Sequence, residues 1–74
     1  MALTFGKCLL RYRRKEASIT QAQLCDRLAR LGLEVSTVMI SQYENNHRKM
    51  NPVLMRGICI VLGCQEADLY EWPH

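Results

Sequence analysis

The sequence has little of what membrane proteins, secreted proteins and linkers require. No apolar run approaches the roughly 18 residues that a membrane span needs, and no basic region followed by an apolar stretch marks the N-terminus as a signal peptide. With 4 glycines and 2 prolines, the chain has too few flexible residues for a linker. Its 74 residues, 49% hydrophobic and 23% charged, predict one folded domain spanning residues 1–74, located in the cytoplasm.

Signatures of catalysis and of metal binding are missing as well. The 4 cysteines form no C-x-x-C pair, and His47 and His74 are isolated in sequence. In a cytoplasmic protein the cysteines are expected to be reduced and to serve as small buried hydrophobes. No Ser/His/Asp set, supported carboxylate pair or phosphate loop occurs, and a chain this short leaves little room for a substrate pocket. We therefore expect no enzyme activity, no small-molecule substrate, no metal and no cofactor.

The basic charge is concentrated in one part of the chain. Residues 1–50 carry nine Lys or Arg against four Asp or Glu, and residues 51–74 carry one against three, within a net charge of +3. The basic part is where a polyanion would bind. The alternative is an ordinary solvated surface.

Five helices are predicted from caps, stops and apolar residues at helical spacing, and no strand signal appears. Thr20 with Gln23 forms a capping box for helix 2, and Asn51 followed by Pro52 opens helix 4. A short fifth helix is predicted in QEADLYEW. The other predicted starts and stops are Thr4, Gly32, Ser36, Asn46 and Gly63.

The apolar faces of these helices predict the core of a compact all-α domain. Met39, Met50 and Met55 are expected to fill gaps in it. The remaining core residues are Phe5, Leu9, Leu10 and Tyr12 in helix 1, Leu24, Leu28 and Leu31 in helix 2, Ser36, Ile40 and Tyr43 around helix 3, Leu54, Ile58, Val61 and Leu62 in helix 4, and Leu69 and Trp72 in helix 5.

The opposite face of helix 3 is polar but uncharged. At 100° per residue it collects Thr37, Val38, Ser41, Gln42 and Asn45. Amides can bond to adenine edges in the DNA major groove, and hydroxyls and methyls can contact thymine. This face therefore predicts a helix that contacts DNA bases. The expected base-contacting residues are Thr37, Val38, Ser41 and Gln42. The alternative is an ordinary polar surface helix.

A short capped helix, a turn and this helix follow in the order of a helix-turn-helix. The segments ITQAQL at 19–24, ISQYEN at 40–45 and LGCQEADLYEW at 62–72 resemble the lambda-repressor-like, Cro-type helix-turn-helix family over about residues 5–72. The segment ARLGLEV lengthens the connection between helices 2 and 3 by about five residues relative to the usual turn. Asn46 stands where the family usually has glycine.

The resemblance also implies roles for particular side chains. Gln21 matches a glutamine that holds a DNA phosphate together with the helix 2 N-terminus, although it could simply cap its helix. Arg14 and Glu44 match an ion pair whose arginine also faces a phosphate, with Arg13 as the alternative partner. Further candidate phosphate contacts are Asn45, Arg48 and Lys49, at and just after the end of helix 3.

The expected function is sequence-specific binding of double-stranded DNA by a transcriptional regulator of bacterial or phage type. With no second domain expected, it would be a stand-alone, Cro-like repressor that acts by occupying its operator. Tyr70 and Trp72 in the C-terminal helix are the candidate homodimer surface, unless Trp72 closes the core. The alternative function is a protein-interaction module, such as an antitoxin or accessory factor.

Overall fold

The structure, a computed structural model, describes residues 6–71, and it is all-helical as predicted. Its α-helices are α1 (Leu10–Glu16), α2 (Gln21–Arg30), α3 (Thr37–Glu44) and α4 (Pro52–Leu62), followed by a 3-10 turn at Glu66–Leu69. The expected fifth α-helix is thus a single 3-10 turn, and the five-helix count is not confirmed. The described part of the chain contains no β-strand beyond an isolated bridge.

The helix boundaries follow the capping signals of the sequence. The Thr20 Oγ1 atom accepts the Gln23 N–H at 3.1 Å, and the Gln23 side chain accepts the Thr20 N–H at 2.9 Å, which confirms the capping box. Ser36 and Asn51 each accept the N–H of the third residue of their helix. Because these side chains satisfy N–H groups that have no partner within the helix, they fix where each helix starts.

The ends of α2, α3 and α4 are each followed by a residue with a left-handed backbone conformation. Gly63 caps α4 with φ at 70°, and Gly32 follows α2 with φ at 83°. Asn46, after α3, has φ at 61°. Its carboxamide Oδ1 also accepts the backbone N–H of Cys8 at 3.0 Å. A glycine would supply the same backbone conformation but not this hydrogen bond.

The first helix is shorter than predicted, because the residues before it pair with the C-terminal segment. Gly6 N–H donates to the Glu71 carbonyl, and Leu9 N–H donates to the Leu69 carbonyl, each at 2.7 Å. These bonds pair the two segments, and the backbone is extended at Tyr70, which also explains why no helix continues past the 3-10 turn. The predicted cap Thr4 and core residue Phe5 lie outside the described residues.

Most predicted core positions are buried or partly buried, with three corrections. Ser36 is exposed, because its hydroxyl caps the start of α3 by accepting the Met39 N–H. Tyr12 is exposed, because the inward face of α1 is formed by Leu10 and Arg14, one helical turn apart. Leu31 is 46% exposed, because α2 ends before it and the chain leaves the helix there. α2 packs against both α3 and α4. The fully buried side chains are Leu10, Leu24, Leu28, Ile40, Ile58 and Leu69.

Tyr70 belongs to this core and is no free dimer surface. Its side chain is buried, with the residue 3% exposed, and its phenol oxygen accepts the Met50 backbone N–H at 3.2 Å. The turn before it ends where the chain becomes extended at Tyr70, which places the ring inside the domain. Trp72, the other residue of the predicted dimer surface, lies outside the described residues.

Candidate nucleic-acid interface

The outer face of α3 carries the four residues that are expected to contact bases. Thr37 and Val38 are exposed, the latter by 66%, and Ser41 and Gln42 are partly exposed. The opposite side of the helix enters the core through Ile40 and Tyr43. The helix is therefore oriented with its uncharged polar face toward solvent.

The carboxylate of Glu44 lies at the centre of a polar cluster below that face. Its side chain is 0% exposed. Arg14 Nε donates to Glu44 Oε2 at 2.8 Å, and Gln21 Nε2 donates to Glu44 Oε1 at 2.9 Å. Arg11 Nε approaches the same Oε1 at 3.4 Å. We call Arg11, Arg14, Gln21 and Glu44 the Glu44 cluster.

These donors lower the pKa of Glu44. Burial alone raises the pKa by disfavouring the charged form, but the hydrogen bond from Arg14, followed by those from Gln21 and Arg11, outweighs it. The net result is a carboxylate that stays ionised inside the protein. The cluster joins α1, the start of α2 and the end of α3 through one charge.

Arg14 is the arginine that pairs with Glu44, and Arg13 points elsewhere. Arg14 Nη1 donates to the Ile19 carbonyl at 2.9 Å, and the Arg14 side chain is only 10% exposed. Arg13 Nε donates instead to the Asp68 carbonyl at 3.1 Å. Arg14 is thus mainly a buried link between helices, with little surface left for a phosphate.

Gln21 lies at the first position of α2 and is partly buried. One N–H of its amide is occupied by Glu44, which fixes the orientation of the side chain. The other amide N–H and the N-terminal backbone N–H groups of α2 lie at the positive end of the helix dipole. An anion bound there would meet donors that are already positioned.

Arg11 is a functional candidate that the sequence reasoning did not single out. Its guanidinium, half exposed, donates to Asn45 Oδ1 at 3.2 Å as well as to Glu44. The signal was available, since Arg11 precedes Arg14 by three residues and therefore shares its helix face. Lys7 and Lys15 line the same shallow cleft beside Glu44. Together they make that side of α1 strongly basic.

The predicted phosphate contacts at the end of α3 lie at the surface. The Asn45 amide donates to the Ser41 carbonyl at 2.9 Å and to its hydroxyl oxygen at 3.3 Å, so Asn45 is held in place from both sides. Arg48 and Lys49 are exposed in the turn that follows. Cations thus lie on α1, where Arg11 contacts Asn45 at the end of α3, and in the turn that follows α3.

Two other kinds of site are not found in the described part of the chain. Residues 6–71 contain no group of three or more His, Cys, Asp or Glu side chains arranged to hold a metal ion. None of the described helices is long and apolar enough to cross a membrane.

Comparison with known families agrees with this geometry. A family model described as Cro/C1-type HTH DNA-binding domain matches residues 10–74, which include all four α-helices and the Glu44 cluster. No curated protein sequence matched the chain.

Proposed function

The chain belongs to the Cro/C1-type helix-turn-helix DNA-binding domain family, and we propose that it is a sequence-specific transcriptional regulator whose α3 contacts bases in the major groove. The observation that carries this proposal is the exposed, uncharged outer face of α3, with cations next to it on α1 and in the turn that follows α3. A helix that enters the major groove needs short polar groups against the bases and charge at the rim, where the phosphates lie.

In this proposal the four outer residues of α3 divide the base contacts by chemistry. Gln42 is the candidate for a bidentate contact to adenine, and its side chain makes no hydrogen bond to any other described residue. Val38 offers methyl groups to a thymine, and Thr37 and Ser41 offer hydroxyls. Asn45 already accepts from Arg11, so it acts at the rim rather than on a base.

Phosphates would be held at two places next to this helix. Gln21 and the α2 N-terminus form one site, with Arg11 beside it, and Arg48 and Lys49 form the other. Arg14 keeps a minor part of this role, because most of its guanidinium is used inside the Glu44 cluster. The cluster's main contribution is to fix α3 and Gln21 relative to each other before DNA arrives.

Regulation would follow from occupancy of the operator, as in a stand-alone Cro-like repressor. A single domain of this size makes a small interface with DNA, so tight specific binding calls for two copies on a two-fold site. The half-site centres would lie about 10 base pairs apart, one turn of the double helix.

The proposal is tested by measuring DNA affinity as a function of salt and sequence. Binding to random duplex DNA should weaken on a log–log plot with a slope of about −0.9 per phosphate contact. A chain that binds no duplex even at ~50 mM salt would refute the DNA hypothesis and favour the protein-interaction module.

Two variants separate the two kinds of contact. Gln42→Ala should cost ~1–3 kcal/mol on the preferred site and little on random DNA, because only a base contact is lost. Lys49→Ala should weaken both by a similar factor and make the salt slope shallower by about one unit. Equal effects of Gln42→Ala on specific and random DNA would show that α3 does not contact bases through this residue.

A further inference from the structure

Two of the four cysteines are in contact at the C-terminal end of α4. The Sγ atoms of Cys59, in the last turn of the helix, and Cys64, just after its glycine cap, lie 3.9 Å apart. The described part of the chain includes all four cysteines, and no other pair of them makes such a contact. Two thiols in contact can form a bond with each other, which a single thiol such as Cys8 or Cys25 cannot.

The backbone at the end of α4 holds the two sulfurs in this position. Gly63 has a left-handed conformation, and the N–H groups of Gly63 and Cys64 donate to the Cys59 carbonyl at 2.8 and 3.2 Å. In a helix end of this kind, the residues at the positions of Cys59 and Cys64 commonly make an apolar contact. Two apolar side chains would do no more than pack there, whereas two thiols can also be oxidised. A disulfide requires the sulfurs to approach by a further ~2 Å.

The two thiols differ in their access to solvent. Cys59 is buried, with the residue 3% exposed. Cys64 is partly exposed and lines a shallow cleft together with Arg13 and Asp68. A small reagent in solution therefore meets the Cys64 sulfur first, and Cys59 reacts only with a group that is already bonded to Cys64.

The groups around the pair favour the same order of reaction. Burial raises the pKa of the Cys64 thiol and Asp68 adds to this, but the hydrogen bond with Cys59 and the positive charge of Arg13 oppose the shift. For Cys59, burial, Cys64 and the carboxylate of Glu66 all raise the pKa. Because the thiolate is the form that attacks a disulfide, Cys64 is the attacking thiol and Cys59 the resolving one.

We propose that Cys59 and Cys64 form a modification site that reacts with low-molecular-weight disulfides and closes to an intramolecular disulfide bond. In the first step the Cys64 thiolate attacks the small disulfide, a new S–S bond to Cys64 forms, and one small thiolate leaves. In the second step Cys59 loses its proton and attacks the Cys64 sulfur, and the second small thiolate leaves. The two cysteines together lose two electrons, and the small disulfide is reduced to two thiols, which take up the two protons.

The new bond would link α4 to the segment that leads into the 3-10 turn. That turn begins at Glu66, and the hydrogen bond from the Cys59 thiol lowers the pKa of the Glu66 carboxyl. Oxidation removes the S–H group and with it this hydrogen bond. No residue of the Glu44 cluster or of the outer α3 face lines the cleft at Cys64, so the site does not depend on the proposed function.

Oxidised glutathione is the probe, and mass spectrometry after an acid quench and trypsin digestion gives the result for each cysteine. Cys59 and Cys64 share the tryptic peptide 57–74, whereas Cys25 lies in the peptide 16–27. In the native protein the first peptide should lose the mass of two hydrogen atoms. Cys25, which is partly exposed like Cys64, should instead carry one glutathione. A peptide 57–74 that stays unchanged, or that retains glutathione, would overturn the proposal.

Two matched variants test the order of the steps, with far-UV circular dichroism to verify that each is folded. Cys59→Ala should stop at the first step and accumulate glutathione on Cys64, because no resolving thiol is left. Cys64→Ala should leave Cys59 unmodified in the native protein, because the remaining thiol is buried. Modification of the remaining thiol at the same rate in both variants would refute the assigned order.

A comparison with the unfolded chain tests whether the fold itself favours the bond, in a Cys25→Ala background that removes the competing reaction. Against a series of glutathione redox ratios, the equilibrium constant for closure should be about tenfold or more larger in the native protein than in urea, because the helix end holds the sulfurs together. By thermodynamic linkage the disulfide must stabilise the fold by the same factor, ~1.4 kcal/mol per tenfold. The oxidised protein should therefore unfold at higher urea concentration than the reduced one. An equal or smaller constant in the native protein would mean that the two thiols only pack against each other, and the inference would be wrong.

Discussion

Replacing Glu44 by glutamine tests whether the Glu44 cluster holds the domain together. The substitution keeps the size of the side chain and one acceptor oxygen, but removes the charge and sets an NH2 group against Arg14 or Gln21. Arg14 is 10% exposed and Glu44 is 0% exposed, so the arginine would remain buried without its counter-ion. Removing one partner of a buried ion pair typically costs about 3–5 kcal/mol.

That loss is large relative to the total stability of so small a domain. At ~0.05–0.15 kcal/mol per residue, a 74-residue chain has a free energy of unfolding of about 4–11 kcal/mol. With ~4–8 °C per kcal/mol for domains of this size, Glu44→Gln should lower the Tm by at least about 12 °C. Urea denaturation followed by far-UV circular dichroism would give the same difference in free energy.

The pH dependence gives an independent check on the cause. Because the pKa of Glu44 lies below its ordinary value of 4.5 in the folded protein, its contribution is fully present above pH 4.5. It is lost as the pH falls through the folded pKa. The difference between wild type and Glu44→Gln should therefore shrink on acidification below pH 4.5.

A matched control is Glu16→Gln, which removes an exposed ion pair with Arg13 on the same helix. Its effect should stay within about 0.5 kcal/mol, as for most surface positions. If Glu44→Gln were as mild as this control, the buried cluster would contribute no net stability and the reasoning would be wrong.

Three further predictions follow from other contacts. Tyr70→Phe should cost about 1–3 kcal/mol of unfolding free energy, because the buried Met50 N–H loses its acceptor; an unchanged urea midpoint would contradict this. Asn46→Ala should destabilise more than Asn46→Gly, since alanine loses the hydrogen bond and also strains the left-handed backbone; the reverse order in thermal melts would count against this. Burial, followed by the neighbouring Cys64, raises the pKa of Cys59 to about 12. Iodoacetamide at neutral pH should therefore modify Cys59 far more slowly in the native protein than in urea, as mass spectrometry of tryptic peptides would show. Equal rates of modification would contradict the burial of Cys59.

The parts of the fold that depend on local chemistry could be predicted from the sequence. A capping box, an Asn-Pro start and a glycine stop each concern a few consecutive residues, so Thr20, Asn51 and Gly63 mark their boundaries without knowledge of the rest of the chain. The outward face of α3 could be predicted for a similar reason. Its helical spacing alone separates Ile40 and Tyr43 from the polar residues.

The parts that depend on distant pairing could not be predicted this way. Nothing local to Leu9 indicates that its N–H will bond to Leu69 and delay the start of α1. Tyr70 was assigned to a surface for the same reason, since its acceptor role for Met50 joins two separate segments. At the candidate interface, Arg11 shares the helix face of Arg14, but the sequence does not show that both reach the buried carboxylate of Glu44.

The pairing of residues 6–9 with residues 69–71 has a consequence for how the domain folds. Its hydrogen bonds join opposite ends of the described chain, so the loop-closure entropy for forming them early would be large. The helices, by contrast, are built from contacts between near neighbours, which form fast. The two terminal segments should come together late, after the helices have packed. Asn46 bonds to Cys8 in this pairing, so the turn after α3 gains that hydrogen bond only in the last step.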